Sequence, residues 1–157
     1  MATNLDTPAR TRPATPVHLW IVGVLALLWN AFGAYDYLMT RMRNTEYLVG
    51  MMPGTDPAAV LAWIDALPLW AQAGWGLGVW GALTGAVLLL ARSRWVVAAF
   101  AVSLLGAVIS LGYQLFAAPP LAGVDATMAK TMPVVIIVIA LALFLYARAM
   151  RARGVLR

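Results

Sequence analysis

LWAQAGWGLGVWGALTGAVLLLARSRWVVAAFAVSLLGAVISLGYQLF, residues 69–116, holds two long apolar runs around a single Arg92-Ser93-Arg94 break. Leu69 to Ala91 and Trp95 to Phe116 each supply the roughly 20 residues that a helix needs to cross a hydrocarbon layer. So short a link makes them antiparallel neighbours. The first run carries Gly74, Gly78, Gly81 and Gly85 at steps of four, three and four, which sets all of them on one helix face. The second carries Ala99, Ser103, Gly106, Ser110 and Gln114, again at steps of four and three. Lipid gives apolar helices little net drive to associate, so small residues that admit close backbone contact hold them together. These two faces are expected to meet within the chain; a dimer contact and a ligand cleft are the alternatives. Trp70, Trp75 and Trp80 point in three different directions and make no cofactor box.

Outward from this pair, Val17 to Met39 forms a first span and about Thr131 to Ala147 a fourth, with Pro133 near the start of the fourth, where proline does least harm. The spans are therefore about 17–39, 69–91, 95–116 and 131–147, within a domain over 17–157. The predicted fold class is an all-α membrane protein, a four-transmembrane-helix bundle. Composition agrees. Of 157 residues, 63% are hydrophobic and 11% charged, and mean hydropathy is +0.84, far from the soluble norm of about 25% charged residues. Residues 1–16, rich in Thr, Ala and Pro, read as a disordered tail. A signal peptide is the competing reading, from Arg10 and Arg12 ahead of the run and Ala31-Phe32-Gly33 as a cleavage site, but the run is too long for a signal's apolar core.

Arg41 to Leu67 is a loop with structure of its own. Asp56 followed by Pro57 starts a helix, the carboxylate capping free N–H groups and proline occupying the first turn. Val60, Trp63, Ile64 and Leu67 share a face opposite Asp65, so this short interfacial helix between spans 1 and 2 either floats at the membrane surface or packs onto the helix ends. Orientation follows from the basic residues. Arg10, Arg12, Arg92, Arg94, Arg148, Arg151, Arg153 and Arg157 fall on one side and Arg41, Arg43 and Lys130 on the other. The positive-inside rule puts the first group, and with it both termini, in the cytoplasm. Glu46, Asp56, Asp65 and Asp125 lie in the loops assigned outside, and Trp and Tyr mark both span ends. The basic balance thus reflects membrane orientation, with the bilayer as the partner and no nucleic acid.

Polar residues inside the spans are few. Asp36, Gln72, Tyr113, Gln114 and Lys130 all fall at one level, in the outer third of the bundle. Either Asp36 simply reaches water or headgroups, or the five line a small polar cavity with Asp36 as its charged element, pointing toward the third or fourth span. Asn30 lies near mid-membrane, where an unpaired amide is costly, and is expected to hydrogen-bond across to another helix. Asn30, the four glycines, Ser103, Gly106 and Ser110 are thus the expected packing residues. His18 is the single histidine and cysteine is absent, so no histidine triad, multi-histidine metal site or thiolate site can be assembled. The glycines have no strand before them and make no nucleotide fingerprint. No enzyme activity and no cofactor are expected.

Trp20-Ile-Val-Gly-Val-Leu-Ala-Leu-Leu-Trp-Asn-Ala-Phe-Gly-Ala-Tyr-Asp-Tyr-Leu-Met-Thr40 and the ending Tyr146-Ala-Arg-Ala-Met-Arg-Ala-Arg-Gly-Val-Leu-Arg157 resemble a family of small bacterial inner-membrane proteins often named sugar transporter. The similarity covers nearly everything after Pro16. It implies a bacterial inner membrane and a solute carrier. The chain departs from the SemiSWEET type of small sugar carrier in having four spans rather than three and no Pro-Gln pair. Four spans at this length also resemble DoxX-like proteins in shape alone. Two function classes follow: a non-catalytic accessory or assembly module, in a larger membrane complex or with copies of itself, and a small-solute transporter acting as an oligomer around Asp36.

Overall fold

A computed structural model describes residues 15–157, so all of the expected tail before Thr15 lies outside the described residues. These form six helices: α1 Val17–Arg41, α2 Thr45–Met51, α3 Pro57–Asp65, α4 Leu69–Leu90, α5 Val96–Phe116 and α6 Ala126–Ala152. The chain is an all-α bundle, and α1, α4, α5 and α6 are long and apolar enough to cross a membrane.

Two boundaries correct the sequence reading. The loop after α1 holds two helices rather than one: Asn44 accepts from the Tyr47 N–H at 2.9 Å and starts α2, a cap hidden in a stretch with little apolar period. The fourth helix starts at Ala126 rather than near Thr131, because the Asp125 carboxylate accepts from the N–H groups of Thr127 and Met128, both at 2.9 Å. Pro133 consequently lies inside α6, where it supplies no N–H to the preceding turn.

The long helices lie in a row. α4 and α5 share the most extensive contact, α1 packs on the other side of α4, and α6 packs on α5. Gly74, Gly78, Gly81 and Gly85 face α5. A Cβ on Gly81 would sit 3.0 Å from the Ser103 nitrogen, and one on Gly106 would sit 2.5 Å from the Gly74 carbonyl oxygen. Backbone therefore rests on backbone, and Ser103 Oγ donates to the Gly78 carbonyl at 2.7 Å. At Gly85 the missing side chain leaves room for the fully buried Phe100 ring. On α1 the buried stripe is Leu19, Gly23, Ala26, Asn30 and Ala34. Asn30 corrects its expectation: its Nδ2 donates to the Ala26 carbonyl of its own helix at 2.8 Å. A carbonyl one turn back meets the amide's need without a second helix.

Two apolar clusters close the two ends of the bundle along the helix axes. At the end bearing Arg92 and Arg148, the arginine end, Leu19, Leu89, Val96, Phe100, Ala147 and Met150 pack with Val155 and Leu156. The segment after α6 is thereby folded inward. α6 ends with Gly154 in the left-handed region, and Arg157 then donates its N–H to the Arg92 carbonyl at 2.7 Å while accepting from the Arg94 N–H. At the opposite, cap end, Leu48 of α2 packs with Val60 and Ile64 of α3, beside Trp63, Trp75 and Leu121. α3 thus packs onto the helix ends instead of floating.

Candidate functional site

The polar residues of the cap end are held by the way α1 stops. Arg43 takes a φ of 56°, the Arg43 N–H donates to the Thr40 carbonyl and the Asn44 N–H to Met39, both at 3.0 Å. This left-handed cap is normally glycine's; here it reverses the chain so that α2 folds back beside α1.

That reversal decides the fate of Asp36. Its Oδ1 accepts from the Tyr47 hydroxyl at 2.9 Å, and Tyr47 stands edge-on to Tyr35 with centroids 5.5 Å apart. Burial pushes the Tyr47 phenol up to about 12, with the Asp36 hydrogen bond and charge adding to it. Asp36 therefore points to α2, not toward the third or fourth span. The five residues expected to share one cavity are dispersed. Gln72 accepts from Arg41 at 3.0 Å through Oε1 and donates to the Leu67 carbonyl at 2.9 Å. Gln114 leans on Ser110 of its own helix at 3.4 Å. Tyr113 packs edge-on against Trp70 with centroids 5.2 Å apart, and Lys130 is exposed on α6.

A cavity does exist at this end, but Asp36 does not line it. It has a volume of about 130 Å³ and is lined by Thr40 and Arg41 from the end of α1, Arg43 from the turn after it, Leu61, Ile64 and Asp65 from α3, and Gln72 from α4. Arg43 pairs with Asp65 at 2.6 Å, both side chains more than half exposed. A pair so exposed adds at most about 1 kcal/mol and leaves its charges available to solvent. Arg41 hydrogen-bonds a neutral amide and forms no ion pair among the described residues. The cavity offers hydrogen-bond donors, one hydroxyl and one carboxylate to a small polar group.

Arg41 and Arg43, which follow Asp36 at the end of the first span, serve the cavity and do not pair with Asp36. Tyr47 was missed. Its signal was Asn44 as a helix cap, which places Tyr47 in the first turn of a helix returning past Asp36. No protein-family model, no curated protein and no solved structure matches the chain.

Proposed function

We propose that this chain is a non-catalytic accessory or assembly module of a bacterial inner membrane, working within a larger membrane complex, with both termini cytoplasmic. The row of helices carries this reading. α1 and α6 meet at the arginine end, through His18 with Tyr146 and Leu19 with Ala147 and Met150, but along the rest of their length they share no contact comparable to those joining α1 to α4, α4 to α5 and α5 to α6. Each presents exposed large side chains, Trp29 and Phe32 on α1, Val138 and Leu141 on α6. Flanks that no helix of this chain covers leave room for helices of another membrane protein in place of lipid. The polar side chains of the α4–α5 seam are engaged locally, as Ser103 is with Gly78.

The test is extraction in mild detergent followed by mass determination of the assembly. A complex containing other membrane chains in fixed ratio is expected; a bare monomer or homodimer overturns the reading. For orientation, single cysteines at Ser93 and Ala152 should be shielded from impermeant thiol reagents in intact cells, while those at Thr55 and Ala122 should react. The reverse pattern refutes it.

One observation favours a second reading, a small-solute carrier: the polar cavity beside Arg41 and Gln72. It also fits the resemblance to the sugar-transporter family. This reading requires a dimer, since one four-helix chain offers little room for alternating access. Solute-dependent stabilisation that disappears in Gln72→Leu would favour it.

A further inference from the structure

Charge is divided between the two ends of this molecule. Arg92, Arg94, Arg148, Arg151, Arg153 and Arg157 gather at the arginine end, and all but Arg92 are exposed. The acidic side chains among the described residues, Asp36, Glu46, Asp56, Asp65 and Asp125, lie in or next to the cap end. The one ion pair among the described residues, Arg43 with Asp65, is there too.

These arginines come from the α4–α5 turn and from the end of α6, which meet at this end of the bundle. The backbone bridge from Arg157 to Arg92 and Arg94 ties three of them to one point, anchored by buried Val155 and Leu156. Arg148 and Arg151 stand three residues apart on α6, hence on neighbouring positions of one helix face. An end that carries exposed positive charge with no carboxylate paired to it favours an anion beside it. Depth and orientation indicate which anion. Exposed Trp20 and Trp95 mark the headgroup level at this end. The Arg94 guanidinium lies 5.6 Å from the centre of the Trp95 ring and that of Arg148 lies 5.7 Å from the centre of Phe144. Both therefore lie along the apolar flank of the bundle rather than reaching straight into water.

We propose that the arginine end is a binding surface for anionic phospholipids, with Arg94, Arg148 and Arg151 receiving the headgroup phosphodiester. The planar guanidinium matches two phosphate oxygens at once, and a lipid places its phosphate at this depth while its chains cover the flanks of α5 and α6. The proposal is independent of whether the chain assembles with partners or carries a solute.

The experiment follows thermal unfolding of the full chain in vesicles of phosphatidylcholine alone and of phosphatidylcholine mixed with phosphatidylglycerol. A rise in Tm on the order of 5 °C is expected in the anionic vesicles. Arg94→Gln/Arg148→Gln/Arg151→Gln should lose most of the rise and Arg43→Gln at the other end should keep it. Inorganic phosphate added to phosphatidylcholine vesicles should give none, which separates a headgroup from a free anion. Equal melting in the two vesicles, a full rise in the triple variant, an equal loss in Arg43→Gln, or a rise with inorganic phosphate each overturns the proposal. Should the triple variant fail to fold, the wild-type chain is released from an equimolar lipid mixture into a mass spectrometer. Preferential retention of phosphatidylglycerol by about tenfold is expected, and equal retention of both lipids refutes it.

Discussion

Along the α4–α5 seam, helices meet through their backbones along their whole length; α1 and α6 meet only at the arginine end, leaving an open margin toward the cap. A Cβ on Gly106 would collide with the Gly74 carbonyl, yet one on Gly33 of α1 would meet nothing within 4 Å. At the arginine end α1 and α6 come together, His18 Nδ1 lying 2.6 Å from the Tyr146 hydroxyl, with Leu19, Ala147 and Met150 in one cluster. Toward the cap end Phe32 and Tyr35 of α1 and Met128 and Met132 of α6 are exposed. In lipid a large apolar side chain gains little by moving from acyl chains to a neighbouring helix. A tight seam therefore forms where small residues let backbones touch, and an open margin is left where they do not line up.

The largest effect should come where seam and margin converge. Phe100→Ala empties the space that Gly85 leaves for the ring and should cost about 3–5 kcal/mol, read as lost thermal stability in detergent. A loss below 1 kcal/mol would show that the arginine-end core collapses to fill the gap and is not the anchor of the row. Next, Gly78→Leu or Gly81→Leu should destabilise by about 1–3 kcal/mol, because a side chain there forces α4 off α5. The same measurement on Leu25→Ala, at an α1 side chain 61% exposed, should stay within about 0.5 kcal/mol. Equal tolerance in the three variants would erase the contrast between seam and margin.

A smaller effect is expected at the cap. Asp36→Leu removes the acceptor of Tyr47 and should cost about 0.5–1.5 kcal/mol, seen as faster amide exchange over α2 with α4 and α5 unchanged. Protection lost across the whole chain would mean that Asp36 supports the seam. The same latch has a pH signature. The Tyr47 phenol is raised from 10.0 to about 12, so its contribution is complete below pH 10 and disappears as pH rises through the folded value. A tyrosinate absorbance titration should show one phenol ionising late, at about 12, in the wild type and should lose that late step in Tyr47→Phe. Smallest of all, and opposite in sign, Gly33→Ala should stabilise the isolated chain by about 0.5–1 kcal/mol through helix propensity, since nothing stands where its methyl would go. A clear loss instead would place a neighbour on the open face of α1.

How much of this was legible depends on distance along the chain. The α4–α5 face pairing could be read because helical period alone sets Gly74 to Gly85 on one side and Ser103, Gly106 and Ser110 on another. The second short helix was not read, since its start depends on one capping amide, Asn44, amid residues without apolar period. The polar level was read only as depth. Period and length give a residue's expected height along a helix, which set Asp36, Gln72, Tyr113, Gln114 and Lys130 at one expected level; they do not say which partner lies beside it. Asn30 shows the same limit, because its own Ala26 carbonyl was always in reach and only packing decided that it would be used.

By itself the sequence determined four long apolar helices, their antiparallel order and the segregation of arginines to one end, all of which follow from hydropathy and local spacing. Tertiary structure alone decided that the helices lie as a row with a margin open toward the cap, that Asp36 pairs with Tyr47 while Arg41 and Arg43 serve a cavity it does not line, and that Val155 and Leu156 fold back under the bundle. These rest on which side chains meet across long separations in the chain. They depend on the shape left when α4 and α5 close on one another, a shape that local spacing does not specify.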